Sequence, residues 1–244
     1  MAVKEHRSSK QQTRQNSGLD LKAANRLLGN MSPSERINWS ITNFGSGLYA
    51  MTSAGIDSAL LLDHIAQTGY MVPVIHINTG FLPEETLAFR DTLEMLYDLT
   101  IHEYGPSTEQ IADISQKQLW NSSPASYSKI TKLDPLERAI EDLHVTALLT
   151  AVRADQTDNR ATLDIIGYGN NGDLRIRPFI DWPAQAVADY IDEHGLPRNA
   201  LHAKGFESVG DRQTTTAGQG RQGRTFLECG LHVTDGKPLT QKNS

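Results

Sequence analysis

Between residues 47 and 69 the chain reads as a buried strand (47–52), a tight loop, Ser53-Ala54-Gly55-Ile56-Asp57-Ser58, and an apolar helix (59–67) stopped by Gly69. This unit constrains the rest, because a strand feeding a helix through a short loop belongs to a parallel sheet with helical crossovers. It also forms an anion site: backbone N–H groups point outward at the helix start, and the helix dipole favours negative charge there. Taken alone, the loop is equally an ordinary βα turn.

The alternation continues along the chain. Residues 72–77 form a continuous, β-branched run, as a strand buried on both faces should. Asn78-Thr79-Gly80-Phe81 sits at its carboxyl end, where open parallel sheets bind ligands. A helix over 83–98 and a strand over 100–104 follow. Before the first strand, Ser32-Pro33-Ser34-Glu35 has capping-box form, and Ser107 to Gln110 repeats it ahead of a helix reaching about Leu119. Residues 121–131 read as a polar loop and 133–143 as a helix. A fourth strand (145–152) delivers Arg153 and Arg160 from its carboxyl end, a better place for a phosphate ligand than a helix flank. Residues 162–168 and 174–180 pair as strands across Gly169-Asn170-Asn171-Gly172, and the last long helix runs from Asp181-Trp182-Pro183 to His194-Gly195.

The fold expected is α/β: a Rossmann-like, twisted, mainly parallel sheet with helices on both faces, plus a mobile C-terminal segment. Residues 1–18 form a polar, disordered arm, 19–197 the nucleotide-binding domain with N-terminal packing helices, and 198–244 a lid and tail. From Arg198 to Arg224 there are five basic and two acidic residues, although the chain's formal net charge is −6. The overall charge speaks against nucleic-acid binding, and the local basicity suits a small anion. No apolar run reaches the roughly 18–20 residues of a membrane span, and no secretory signal is legible, so a cytoplasmic setting is expected.

The chain has one cysteine, Cys229, inside Arg224-Thr225-Phe226-Leu227-Glu228-Cys229-Gly230-Leu231-His232. A free cysteine is ordinarily a small buried hydrophobe. Here the surroundings are polar, and Arg221, Arg224 and His232 favour a thiolate.

With these pieces laid out, residues 48–232 resemble the phosphoadenosine phosphosulfate (PAPS) reductase family, within the PP-loop adenine-nucleotide α-hydrolase-like superfamily. The motifs carrying the resemblance are the 53–58 loop, Asn78-Thr79-Gly80-Phe81, Lys132 ahead of Pro135, residues 153–160, Ile180-Asp181-Trp182, Ser208-Val209-Gly210-Asp211 and Glu228-Cys229-Gly230-Leu231-His232. The first is shared with many ATP pyrophosphatases; the last is specific to sulfonucleotide reductases. The resemblance implies a reduction of 3′-phosphoadenylyl sulfate to sulfite in sulfate assimilation and cysteine biosynthesis. It makes Cys229 the nucleophile, tuned by His232, and thioredoxin or glutaredoxin the external reductant. It makes Ser53, Gly55, Asp57, Ser58, Thr79, Gly80, Lys132, Arg153, Arg160, Arg221 and Arg224 the substrate-binding set, with no metal ligand, and it implies a possible homodimer. Tyr127, Ser128, Asp211 and Thr214 stand where the cluster-bearing adenylyl-sulfate (APS) reductases carry cysteines, so no iron–sulfur cluster is expected. The chain departs from the family pattern at Asn78, Ala154 and Thr216, and it keeps the Asp57-Ser58 end of the pyrophosphatase motif. A cluster-free APS reductase, and an ATP pyrophosphatase or nucleotidyl transferase that makes no use of Cys229, remain the alternatives.

Overall fold

The computed structural model describes residues 18–169, 172–226 and 228. Helices Leu21–Leu28 (α1) and Pro33–Phe44 (α2) precede strand Leu48–Thr52 (β1). Ser32 caps α2 as its sequence requires, with the reciprocal Glu35 bond in place, and Gly45 at φ +50° ends it. Then come Ala59–Gln67 (α3), Val74–Ile77 (β2), Glu84–Leu96 (α4), Ile101–Tyr104 (β3) and Thr108–Lys117 (α5), the last opened by the Ser107–Gln110 capping box. Helices Leu119–Ser122 (α6) and Pro124–Ser128 (α7) lead through a π-turn, Lys129–Leu133, into Asp134–Asp142 (α8). Ala147–Leu149 (β4), Ile166–Tyr168 (β5), Leu174–Ile176 (β6) and Ala184–Glu193 (α9) complete the domain.

The described residues form a six-stranded sheet in the order β3-β2-β1-β4-β6-β5. All neighbours are parallel except β5 with β6, which pair antiparallel through Gly167 and Arg175. This is the mainly parallel α/β sheet expected. Side chains alternate between its faces. Val74, Ala147 and Leu149 join a core with α1 to α4 and α9, while Ile75, Ile77 and Leu148 pack against Leu136, Ala139 and Ile140 of α8. The chain passes from β1 to β2 on one side and reaches β4 on the other, so the sheet has its switch point between β1 and β4.

One expectation is corrected. Residues 121–131 are helical, not a polar loop. Pro124 occupies the first turn of α7, and Tyr127 and Ile130, at helical spacing, pack with Phe81, Ile114 and Trp120 in a satellite core. After α9, Leu201 joins the buried hydrophobic residues, and the polar Asn199, Asp211 and Thr214 are buried as well. Isolated bridges join Phe206 to Gly218 and Thr215 to Arg224. Among the described residues no helix is long and apolar enough to cross a membrane.

Candidate active site

A cleft of about 240 Å³ opens at the carboxyl ends of β1, β2 and β4, where the sheet changes direction and the crossover loops part. The 53–58 loop forms one wall. Ala54 sits in the left-handed region at φ +47°, donates its N–H to Thr52 Oγ1 (3.1 Å) and accepts at its carbonyl from Asn199 Nδ2 (3.0 Å). Asn199 is fully buried and also donates to Thr86 Oγ1 on α4, so the loop's strained turn is held from below. A Cβ on Gly55 would stand 3.3 Å from Ser53 Oγ and 3.9 Å from Ser58 Oγ. The two hydroxyls therefore converge over a residue without a side chain. Ser58 precedes α3 without capping it through its hydroxyl.

The cationic side chains predicted for the site reach the cleft, each with partners from the protein itself. Arg153 lies 3.5 Å from Asp57 Oδ2 through Nη1 and donates from Nε to Asp155 Oδ1 at 3.0 Å. Burial raises the Asp57 carboxyl above its ordinary pKa, only partly offset by Arg153 and Arg198. Lys132, on the π-turn, places Nζ 2.5 Å from Asp211 Oδ2, and Thr79 Oγ1 donates to Asp211 Oδ1 at 2.5 Å. Asp211 is 1% exposed. Burial pushes its carboxyl up, but the Lys132 ammonium and the hydrogen bonds it receives outweigh this and hold it below the usual carboxylate value. The Lys132 ammonium also lies 5.2 Å from the centroid of the Tyr127 ring.

Arg160 is buried against Glu228, donating from Nε to both carboxylate oxygens (3.1 and 3.2 Å) and from Nη2 to Oε2 (3.1 Å). Its Nη1 donates to Gln156 Oε1, and Thr157 Oγ1 donates to Glu228 Oε1. Arg224 donates from Nη1 to the Val209 carbonyl (2.8 Å) and to Ser208 Oγ (3.3 Å). It lies across Gly210, where a Cβ would meet the guanidinium at 2.2 Å, so this position must be glycine for Arg224 to hold its place.

Ser53, Gly55, Asp57, Ser58, Thr79, Lys132, Arg153, Arg160, Arg221 and Arg224 all line the cleft. Gly80 is not among the lining residues: at φ +78° it packs against Ile111, whose Cδ1 lies 2.6 Å from where a Cβ would be, and it shapes the turn after β2. Cys229 and His232 lie outside the described residues. The carboxylates Asp211 and Glu228, the loop clamp Asn199 and the acceptor Gln156 escaped the sequence reading. Asp211 and Glu228 stand inside recognised motifs, but a search for cations to meet an anion passes over their counter-ions. Among the described residues no cluster of three or more His, Cys, Asp or Glu side chains is arranged to hold a metal.

The cleft's cations and the 53–58 loop suit an anion, and comparison with known proteins gives the family. Residues 47–217 match the phosphoadenosine phosphosulfate reductase domain. Phosphoadenosine 5′-phosphosulfate reductases of Photobacterium profundum and of a Synechocystis strain are 31% and 32% identical over 228 residues, covering 89% and 88% of this chain and 90% and 91% of theirs. A crystal structure of phosphoadenylyl-sulfate (PAPS) reductase from Candida auris, in a phosphate complex, superposes with a TM-score of 0.71 at 30% identity over 80% of this chain and 95% of that one. The ATP complex of Candida glabrata FMN adenylyltransferase shares the fold alone, with a TM-score of 0.61 at 15% identity over 88% of this chain and 72% of its own. A domain match that spans the sheet, the loop and most of the cleft, with full-length relatives above 30% identity, leaves one assignment: this chain belongs to the phosphoadenosine phosphosulfate reductase family.

Proposed function

We propose that this protein reduces 3′-phosphoadenylyl sulfate to sulfite and adenosine 3′,5′-bisphosphate, with Cys229 as nucleophile and a thioredoxin or glutaredoxin dithiol as reductant. One observation carries the reading. The cleft that gathers the 53–58 loop, Arg153, Arg221 and Arg224 is also where Glu228, the residue before Cys229, is anchored by the lining residue Arg160. A cleft lined by cations and the residue next to the chain's one thiol are thus joined through Arg160, which supports this reading.

The loop amides and the Ser53 and Ser58 hydroxyls take the phosphosulfate end, supported by the α3 dipole. Arg153, Arg221 and Arg224 supply positive charge. The Cys229 thiolate attacks the sulfonate sulfur, forming an S–S bond while the S–O bond breaks and the nucleoside bisphosphate departs with that electron pair. A reductant thiolate then attacks Cys229 Sγ, releasing sulfite and leaving a mixed disulfide. The reductant's second thiol resolves this disulfide, so two electrons come from one dithiol and Cys229 is regenerated. His232 orients or tunes the thiolate.

Sulfite release with thioredoxin, measured on 3′-phosphoadenylyl sulfate and adenylyl sulfate side by side, tests this. The bisphosphorylated substrate should be preferred, and Cys229→Ser should abolish release while still binding nucleotide. Sulfite formation by Cys229→Ser would refute the covalent route. Equal kcat/KM for the two substrates would refute the preference alone.

A further inference from the structure

We propose that Arg160 and Glu228 form a positioning clasp that seats the Cys229 peptide at the cleft, and that Arg160 is not itself a phosphate ligand. The inference rests on Cys229 being the nucleophile, as proposed above.

Three observations converge on it. First, the guanidinium is fully used: Nε and Nη2 hold the Glu228 carboxylate, and Nη1 holds Gln156. A bound phosphate would have to break a planar two-pronged ion pair to reach it. Second, both partners are buried, Arg160 at 5% and Glu228 at 3% exposure, so the pair is shielded from water and salt. Third, the receiving loop is built for the task. Thr157 offers its hydroxyl to Glu228, and its carbonyl accepts from the Ala161 amide, between the 3₁₀ turns Ala154–Gln156 and Arg160–Thr162. On the other side, the Thr225 amide bonds the Thr214 carbonyl. Glu228 is therefore an anchor point one peptide, about 3.8 Å between Cα atoms, from the cysteine.

The chemistry makes such an anchor useful. The attacking thiolate and the sulfonate are both anionic, and an unpaired carboxylate beside them would add repulsion. Pairing Glu228 with Arg160 removes that charge and fixes the backbone in the same contact.

The test compares wild type, Glu228→Gln and Arg160→Lys by three readouts: calorimetric binding of adenosine 3′,5′-bisphosphate, the kcat and KM of sulfite release, and amide hydrogen exchange. Both variants should keep the bisphosphate Kd and the KM within about threefold while kcat falls about 10²-fold. Exchange in peptides spanning 225–232 should quicken about tenfold, with the sheet unchanged. Glu228→Asp, which keeps the charge, serves where Glu228→Gln does not fold. If Arg160→Lys weakens bisphosphate binding about tenfold while Glu228→Gln leaves kcat intact, Arg160 is a phosphate ligand and the clasp is wrong. Faster exchange throughout the molecule would reduce the pair to a general stability element and likewise overturn the proposal. Should wild type release no sulfite, the reaction assigned above fails, and the exchange readout still decides whether the pair seats this peptide.

Discussion

Lys132 and Asp211 show how a cation in an anion site can owe its place to a carboxylate. With Asp211 1% exposed, removing the lysine strands a buried charge. Lys132→Met should cost about 3–5 kcal/mol at pH 7 in urea unfolding. The native pair holds the Asp211 pKa below its unfolded value, so its contribution is present above about pH 3.9 and lost as the pH falls through the folded pKa. In Lys132→Met burial loses its largest opponent and that pKa rises, so the deficit against wild type should shrink as the pH falls below 7. Asp57 has the opposite sign. Its folded pKa is raised, so its stabilising contribution is complete below the unfolded value, about 3.9, and is lost as the pH rises through the folded one. Asp57→Asn should therefore melt at a higher temperature than wild type at pH 7 and at the same temperature near pH 3.5. Gly210→Ala should fold normally, because the clash falls on the end of the Arg224 side chain. Nucleotide affinity should drop about tenfold as that guanidinium is displaced, as calorimetry would show.

At the scale of elements, the sequence reading succeeded where one local rule dominated. The capping boxes at Ser32 and Ser107 and the apolar run into β2 need nothing but neighbours. It failed at 121–131, where serines and asparagine outweighed the spacing of Tyr127 and Ile130, and where the deciding apolar partner, Phe81, comes from beyond β2. Glycines at close crossings were equally silent. A Cβ on Gly105 would meet the Asn78 carbonyl at 2.2 Å, backbone against backbone, so Gly105→Ala should destabilise the β2–β3 end by about 1–3 kcal/mol in thermal unfolding. The 205–226 stretch lines the cleft through Glu207 to Asp211, Arg221 and Arg224. Its amide exchange should slow on addition of adenosine 3′,5′-bisphosphate, and rates unchanged by ligand would argue against its closing over the nucleotide.

For the molecule as a whole, a single cysteine cannot supply the thiolates of an iron–sulfur cluster. Anaerobically purified protein should be colourless, with no stoichiometric iron by metal analysis. The α/β class, the strand–loop–helix unit around residues 53–58, the order of the motifs and the lone thiol were legible in the chain itself, because period, turn chemistry and residue identity are local properties. The pairing of the charges was decided by the tertiary structure. Lys132 meets Asp211 across 79 positions and Arg160 meets Glu228 across 68, and the fold brings Lys132, Asp211 and Arg160 to one cleft. The fold also packed Gly80 against Ile111 and placed Asn199 beneath the loop. A side chain's type states what it can bind; which partner it meets depends on where distant segments of backbone come to rest.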